Sequence, residues 1–269
     1  MEKINVLGTG HALTLDCFNT CFTLSEGREH FLVDAGGGNG VLRQLRALGI
    51  GPENIHNAFL SHCHTDHLLG MIWVLRVVGS CMHWRDYPGE FRLFCHQELA
   101  ETVRGICAQT LPRAVDALFG KRLHIVPVED GESVEVMGHI FTFFDTDSRK
   151  ERQFGFSMRE PGASGRKLTF LGDEPFQERS APQVQGSDWL LGEAFCLYAE
   201  REIFRPYDFH HSTVREACEL AERFQVPNLV LWHARDKNLS ERKAAYLAEG
   251  RSFYSGNLYA PDDLDVIDL

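Results

Sequence analysis

Residues 58–70, with the sequence AFLSHCHTDHLLG, constrain the fold of this chain more than any other stretch. Two apolar residues, Phe59 and Leu60, lead into it, and an apolar run over 68–78 leads out, which predicts a buried strand, a short loop and then a helix. Side chains two apart on an extended segment share a face, so the first two histidines can bind one ion together. The turn into the helix directs the aspartate and the last histidine towards a second ion. The four candidate metal ligands are His62, His64, Asp66 and His67.

Histidine and aspartate at this density favour Zn, Mn or Fe over Ca or Mg, because imidazole nitrogen suits transition metals. Cys63 lies inside the motif, but its side chain is expected to point away from its histidine neighbours. The eight cysteines are scattered, with no CxxC pair, which predicts reduced thiols rather than a disulfide framework.

Length and charge narrow the class of protein. A chain of 269 residues can form one large α/β domain or two small ones. It contains no run of 18 apolar residues and its N-terminus enters a strand at once, so neither a membrane helix nor a signal peptide is predicted and a cytoplasmic location is expected. The net charge of −11 disfavours large polyanionic partners.

Further acidic residues and histidines follow other apolar strands, at the carboxyl ends where α/β folds place their sites. They include Asp34, Asp147, Asp173, Glu193 and His233. Their positions make these residues candidate ligands or catalytic residues.

Three local predictions depend on less specific patterns. A helix over 212–224 is expected to begin directly after His211, with Ser212 or Thr213 as its cap. Residues 76–88 are predicted to form a loop whose large side chains either line a substrate pocket or pack into the core. Residues 252–259 are predicted to form a strand.

The pattern His-x-His-x-Asp-His resembles the signature of the metallo-β-lactamase superfamily. The resemblance implies an α/β fold, a four-layered αββα sandwich with a metal site at one edge, in a single domain over 1–269. Other short motifs follow the order seen in ribonuclease Z and its phosphodiesterase relatives, and this match spans most of the chain. These motifs are Leu7-Gly8-Thr9-Gly10, Gly172-Asp173, Gly192-Glu193-Ala194, His211-Ser212-Thr213 and the strand ending in His233.

The same resemblance implies a role for each candidate residue. The implied ligands are His62 and His64 for metal one, and Asp66, His67 and His233 for metal two. Asp173 would bridge the two ions, and Asp34 would support the metal loop from behind its ligands. The implied catalytic residues are Asp66, Glu193 and His211, and in this set His211, steered by Glu193, would protonate the leaving alkoxide.

One metal ligand departs from the ribonuclease Z pattern. That branch has a histidine before an aromatic-Gly-aromatic strand, which here is Phe154-Gly155-Phe156, and no histidine occurs over 140–153. Asp147 is therefore predicted to complete metal one, with Asp145 as the alternative. A carboxylate in this position shifts the preference from Zn towards Mn or Fe.

The features that ribonuclease Z uses to bind tRNA are also absent from the sequence. Only 160–167 connects two strands where that enzyme has a long protruding arm, and the early loop over 11–19 has no Lys or Arg. Together with the acidic net charge, these differences argue against tRNA as a partner.

The function predicted from the sequence is that of a dinuclear metal-dependent hydrolase. It would act as a phosphodiesterase on a small or unstructured phosphodiester, using a hydroxide that bridges two divalent ions, with Zn as the first choice and Mn or Fe as alternatives. Four other functions stay open: ribonuclease Z itself, a di-iron oxygenase or redox protein, a lactone or thioester hydrolase, and a metal-bound sensor. A homodimer is also an open alternative.

Overall fold

The computed structural model describes residues 1–162 and 165–269, and their contacts divide the chain into two compact units. Unit 1 comprises residues 1–8, 18–129 and 263–269, and unit 2 comprises 9–17 and 130–262. A single domain over 1–269 stays a prediction. The predicted turn at 160–167 includes residues 163 and 164, which lie outside the described residues.

Unit 1 contains a mixed seven-stranded sheet in the order β14-β1-β2-β3-β4-β5-β6. The pairings from β14 to β3 are antiparallel, and those from β3 to β6 are parallel. The strands are β1 (Lys3–Gly8), β2 (Cys21–Glu26), β3 (Glu29–Val33), β4 (Ile55–Phe59), β5 (Phe91–Cys95), β6 (Leu123–Pro127) and β14 (Val266–Asp268). The parallel half places the carboxyl ends of β3 and β4 side by side, and both carry candidate site residues.

The helices of unit 1 bury one apolar face each in a shared core. They are α1 (Gly40–Ala47), α2 (Thr65–Trp84), α3 (Gln97–Thr110) and α4 (Arg113–Asp116). Along α2 the core residues Leu68, Met71, Leu75 and Val78 recur at the three- and four-residue spacing of one helix face. The same side chains hold the start of the helix, where the histidine motif lies, against the sheet.

The prediction of a loop over 76–88 is wrong for most of its length, because α2 continues to Trp84. The β-branched residues and the glycine in this stretch weaken helix propensity, but burial outweighs it. Gly79 allows the helix to approach Val115, and Met82 is buried in the core. Tyr87 is also buried and donates its hydroxyl to the Ile55 carbonyl over 2.7 Å, so these side chains pack into the core.

Unit 2 contains a second seven-stranded sheet, in the order β13-β12-β11-β10-β9-β8-β7. The pairings from β7 to β10 are antiparallel, and those from β10 to β13 are parallel. The strands are β7 (Ser133–Val136), β8 (His139–Asp145), β9 (Phe154–Arg159), β10 (Lys167–Phe170), β11 (Trp189–Glu193), β12 (Asn228–Trp232) and β13 (Asn257–Tyr259). The carboxyl ends of β10, β11 and β12 each carry one candidate site residue.

The helices of unit 2 are α5 (Ala181–Val184), α6 (Arg201–Phe204), α7 (Val214–Arg223) and α8 (Leu239–Gly250). Thr213, one of the two predicted caps, is the cap of α7: its side chain and that of Glu216 form a capping box. The strand predicted over 252–259 is confined to Asn257–Tyr259, because Ser252, Phe253 and Tyr254 donate backbone bonds back to the end of α8. Across residues 1–162 and 165–269, none of the helices combines the length and apolarity of a membrane span.

Candidate active site

The histidine motif of unit 1 occupies the link between β4 and α2 and the first turn of that helix. His62 and His67 are buried, as is Asp66, whereas His64 is half-buried at the helix N-cap. His62 Nε2 lies 2.9 Å from His64 Nδ1, and His67 Nε2 lies 3.3 Å from Asp66 Oδ2. The structure therefore brings all four predicted ligands of this unit together in two close pairs, while Cys63 is exposed.

Asp34 holds this motif from behind, as predicted. The carboxylate follows β3 and is buried, and Oδ2 lies 2.8 Å from both His67 Nδ1 and the Ser61 hydroxyl. Oδ1 accepts the Ser61 backbone N–H over 2.8 Å, and the Ser61 hydroxyl lies 2.9 Å from His62 Nδ1. A histidine that donates through Nδ1 presents the lone pair of Nε2, so these contacts orient both rings as metal ligands.

The buried imidazole of His67 lies between two carboxylates, Asp34 and Asp66. Burial alone lowers the pKa of His67, but the charges of Asp66 and Asp34 and their hydrogen bonds outweigh it and hold the pKa well above its usual value. The site therefore favours positive charge, whether a proton or a cation.

Close backbone packing brings α2 to the end of β3. Gly70 donates its N–H to the Gly36 carbonyl over 2.7 Å, and a side chain at position 70 would collide with the carbonyl of Ala35. Asp34 itself has a φ of 53°, a left-handed conformation that is costly for a residue with a side chain. The glycine and the strained aspartate together set the distance between Asp34 and His67.

The metal ligands predicted in unit 2 meet at the ends of β10 and β12. Asp173 and His233 are both buried, and Asp173 Oδ2 lies 3.5 Å from His233 Nε2. Asp173 Oδ1 accepts a hydrogen bond from the Gln153 amide. His233, like Asp34, has a left-handed backbone with a φ of 57°. The imidazole and carboxylate of this pair face each other, as two ligands of one cation would.

A second pair in unit 2 links Glu193 at the end of β11 to His211. Glu193 Oε1 lies 2.9 Å from His211 Nδ1, and Oε2 accepts the backbone N–H and the hydroxyl of Ser212 over 2.8 and 2.5 Å. The Glu193 carboxyl is buried, which raises its pKa, while His211 and Ser212 lower it in part. The His211 ring stacks on Phe195 at 4.6 Å and lies 5.2 Å from the His233 ring. The orientation of His211 is thus fixed on two sides.

Of the aspartates predicted to complete metal one, Asp145 is the last residue of β8 and Asp147 lies in the loop that follows. Asp147 is exposed and left-handed, with a φ of 61°, and its backbone N–H donates to Asp145 Oδ1 over 2.9 Å. Asp145 Oδ2 lies 3.6 Å from Arg152 Nε, so its carboxylate contacts the loop between β8 and β9. The assignment of Asp147 as a ligand stays a prediction.

Two residues of the same loop were missed by the sequence analysis. Gln153, which positions Asp173, directly precedes the Phe154-Gly155-Phe156 strand, and a search for histidine alone passed over its amide. Lys150 Nζ lies 3.5 Å from His211 Nε2 and 3.8 Å from Asp173 Oδ2. Its position in a run of charged residues gave no signal that set it apart.

A cavity of about 390 Å³ in unit 2 adjoins the Glu193–His211 pair. Most of its lining is apolar and includes two aromatic rings. The apolar and aromatic residues of the lining include Leu171, Phe176, Leu190, Tyr207, Ala217 and Leu220. A compartment of this size and composition suits a small organic group.

The donor chemistry of both units fits divalent metal ions. Each unit holds a buried imidazole nitrogen within 3.5 Å of a carboxylate oxygen, and in unit 1 a buried carboxylate orients the ligand ring. Nitrogen and oxygen donors of this kind bind Zn, Mn and Fe. The residues thus form candidate divalent metal sites, as predicted.

The chain resembles curated ribonuclease Z proteins over most or all of its length. It is 25% identical to ribonuclease Z of Thermococcus sibiricus, with 100% of this chain and 97% of the relative covered. Ribonuclease Z of Parabacteroides distasonis is 23% identical over 86% of this chain and 88% of the relative. These relatives support the predicted ribonuclease Z-like branch and the class of metal-dependent hydrolase.

Solved structures confirm the predicted α/β class and the metallo-β-lactamase fold. The metallo-β-lactamase fold protein YhfI from Bacillus subtilis aligns with a TM-score of 0.77 at 16% identity, over 100% of this chain and 99% of that protein. Human tRNase Z, short form, aligns with a TM-score of 0.74 at 19% identity, over 98% of each chain. A diphosphatase from the PhnP family aligns with a TM-score of 0.76 at 14% identity, over 100% of this chain and 98% of that one.

A protein-family model defines the relationship more closely. The model described as anti-Pycsar protein Apyc1 matches residues 2–249, which include every ligand and proton-transfer residue described above. The chain is therefore a member of the Apyc1 anti-Pycsar protein family, within the ribonuclease Z-like branch of the metallo-β-lactamase superfamily.

Proposed function

We propose that the protein is a dinuclear metal-dependent phosphodiesterase that acts on a small or unstructured phosphodiester. The observation that carries this proposal is the position of His211, which Glu193 holds through Nδ1 and whose ring lies 5.2 Å from that of the proposed metal ligand His233. Cleavage of a phosphodiester needs a proton for the leaving alkoxide, and a fixed imidazole next to the metal ligands can supply it. Neither an oxygenase nor a metal-bound sensor requires such a residue.

The proposed ligands follow the motif resemblance and are shared between two ions. They are His62, His64 and Asp147 for metal one, Asp66, His67 and His233 for metal two, and Asp173 for both. When bound, the two cations supply an activated water and neutralise charge on the phosphoryl group. Zn is the first choice, and the carboxylate of Asp147 favours Mn or Fe as alternatives.

The residues of unit 2 would carry out proton transfer and bind the organic part of the substrate. Glu193 accepts the Nδ1–H of His211, which fixes the ring and stabilises it when it is protonated. His211 then gives its Nε2 proton to the leaving oxygen and recovers one from solvent after product release. The apolar cavity beside the pair would receive the organic part of a small substrate.

Several features favour a small substrate over tRNA. The chain carries a net charge of −11, and only residues 160–166 join β9 to β10, where the resemblance implies a tRNA-binding arm. The description of the matching family, anti-Pycsar protein Apyc1, does not mention RNA processing. Ribonuclease Z activity is nevertheless a second candidate. The chain is similar to proteins of that name over 97% and 88% of their lengths.

A substrate panel tests both candidates. Protein loaded with Zn, Mn or Fe would be assayed on bis(4-nitrophenyl) phosphate, cyclic mononucleotides, linear dinucleotides, 4-nitrophenyl acetate and precursor tRNA, beside His211→Ala. Hydrolysis of small phosphodiesters that is lost in the variant supports the proposal. Cleavage of precursor tRNA alone would establish ribonuclease Z, and dioxygen-dependent turnover with Fe would favour the oxygenase.

Metal content would be measured first on protein purified without added metal or chelator. Two equivalents per chain agree with the proposed dinuclear site, whereas one or fewer would contradict Asp147 as the completing ligand. The cytoplasmic location expected from the sequence also stays a prediction. The homodimer stays an open alternative, which sedimentation equilibrium would decide.

A further inference from the structure

Lys150 brings a positive charge into the part of unit 2 where the proposed chemistry takes place. Its ammonium nitrogen lies 3.5 Å from His211 Nε2, 3.8 Å from Asp173 Oδ2 and 3.9 Å from Glu174 Oε1. Only 16% of the side chain is exposed. A long, flexible side chain is seldom so enclosed unless its charge has a specific role or is paired.

The loop that carries Lys150 is held in place by Glu174, a buried carboxylate. Glu174 Oε1 accepts the Ser148 hydroxyl over 2.7 Å, and Oε2 accepts the Arg149 backbone N–H over 3.1 Å. The Ser148 oxygen in turn accepts the backbone N–H of Lys150 over 3.3 Å. The backbone that presents the lysine is therefore fixed from the same side as Asp173, which directly precedes Glu174 in the chain.

The contacts of the ammonium group are too long to use its hydrogen-bonding capacity. It has three N–H donors, and charged donors usually bond at 2.7–2.9 Å. Among residues 1–162 and 165–269, each polar partner found for Lys150 Nζ is 3.5 Å or more away. The group lies between the proposed proton donor and the proposed bridging ligand, so an anionic oxygen entering this space would meet both a cation and His211.

We propose that Lys150 binds a non-bridging oxygen of the substrate phosphoryl group, and the same oxygen of inorganic phosphate. This inference rests on the proposed function of the site. No covalent bond changes at the lysine: its fixed charge attracts the anion and orients the phosphorus with the leaving oxygen towards His211 Nε2. The competing explanation is that Lys150 only neutralises Asp173 and Glu174.

The two explanations differ in how they treat anions. Loss of a charge-assisted hydrogen bond to phosphate weakens binding by roughly 10- to 100-fold. It changes the KM of a neutral ester little, because an anionic oxygen forms on such a substrate only in the tetrahedral intermediate. A structural cation would affect metal content, folding and both substrates together.

The experiment uses metal-loaded wild type, Lys150→Met, Lys150→Gln and Lys150→Arg. The matched control is Lys243→Met, which removes one positive charge from an ion pair of 3.6 Å with Asp262 elsewhere in unit 2. Binding of inorganic phosphate would be measured by titration calorimetry at fixed ionic strength, with metal content determined for every sample. Steady-state rates on bis(4-nitrophenyl) phosphate and on neutral 4-nitrophenyl acetate would follow.

The expected result is phosphate binding about 10- to 100-fold weaker in Lys150→Met and Lys150→Gln, with a matching rise in KM for the diester. Lys150→Arg is expected to restore most of the binding, and Lys243→Met to behave as wild type. Wild-type phosphate affinity in Lys150→Met and Lys150→Gln would overturn the proposal. Loss of bound metal in both of these variants would overturn it as well. If wild type hydrolyses the acetate but no phosphodiester, the proposed function fails, while phosphate binding still decides the role of Lys150.

Discussion

Both units have sheets of the same plan but supply their site residues in different ways. Each sheet has three antiparallel pairings followed by three parallel ones. In unit 1 the ligands come from one continuous segment, 62–67, after β4, and Asp34 after β3 orients two of them. In unit 2 the sites are single residues after three neighbouring strands: Asp173, Glu193 and His233.

The metal ligands of unit 1 depend on one shared contact, whereas in unit 2 the proposed metal ligands and the proposed proton donor have contacts of their own. One buried carboxylate in unit 1 holds His67 directly and His62 through Ser61, so its removal disturbs the ligands together. In unit 2 the Asp173–His233 pair and the Glu193–His211 pair are separate contacts, of 3.5 Å and 2.9 Å. Substitutions in unit 2 should therefore separate metal binding from proton transfer, and those in unit 1 should not.

The largest expected effect is on the rate, from His211→Ala. Loss of a positioned general acid should lower kcat about 10²- to 10⁴-fold, while metal content stays at the wild-type value. His210→Ala is the matched control, because that neighbouring histidine is exposed. Steady-state kinetics beside metal analysis would check this, and a variant that loses metal along with activity would show that the two pairs of unit 2 are not separable.

Asp34→Ala should affect metal binding and stability at once. The partners of the carboxylate, Ser61 and His67, would be left buried and unsatisfied, so we expect a loss of about 3 kcal/mol in the unfolding free energy of metal-free protein. Metal affinity should fall about 10- to 100-fold.

Urea unfolding and metal titration would measure both effects of this change. Asp34→Asn keeps one acceptor and should lose less of each. Wild-type stability in metal-free Asp34→Ala would contradict the coupling inferred for unit 1.

The sequence predicts the site residues of unit 1 more completely than those of unit 2. The unit 1 ligands were readable because all four lie within six residues, so strand and helix periodicity alone brings them together. Asp173 and His233 are 60 residues apart in the numbering and meet through the parallel order of β10, β11 and β12. For these the sequence supplied candidates at strand ends, and the family resemblance supplied the grouping.

The misses have local physical causes. The end of α2 was misplaced because burial of Val78 and Met82 outweighs weak helix propensity. The loop between β8 and β9 was not predictable, because the left-handed φ of Asp147 and the link from Ser148 to Glu174 decide where its charged side chains lie. Tertiary contacts of this kind leave no periodic signal in the sequence.

Each unit contains a buried titratable group with a shifted pKa, and the two shifts have opposite directions. The difference can be tested by varying the pH. Carboxylates raise the pKa of His67 in unit 1, whereas burial, with a smaller contribution from Arg159, lowers the pKa of Lys167 in unit 2 to about 8. Within the described ranges 1–162 and 165–269, the Lys167 ammonium donates to one acceptor, the neutral Gln185 carbonyl, over 2.9 Å. Its charge therefore destabilises the folded state, in contrast to charge at His67.

Between pH 8 and about 10.4 the unfolded chain keeps the Lys167 proton that the folded protein has lost, so stability from this group rises with pH. Below pH 8 both states are protonated and the cost is constant. Relative to Lys167→Met, wild type should gain about 2 kcal/mol of unfolding free energy from pH 7.5 to pH 10. Urea unfolding at both pH values would measure the difference, and an unchanged gap would mean that the lysine is well solvated.

The smallest expected effect compares the helices that follow the two motifs. In unit 1 the N-cap of α2 is His64, a proposed ligand whose side chain makes no capping hydrogen bond, while in unit 2 Thr213 caps α7 through a capping box. Thr213→Ala should therefore cost about 1 kcal/mol of unfolding free energy in metal-free protein, and Thr213→Ser should restore most of it. His64→Ala should change the same quantity by less than about 0.5 kcal/mol, because the half-buried His64 side chain contributes no capping hydrogen bond to α2. Equal losses at the two positions would mean that His64 also stabilises its helix, and the metal ligands of unit 1 would then carry part of the fold even without their ions.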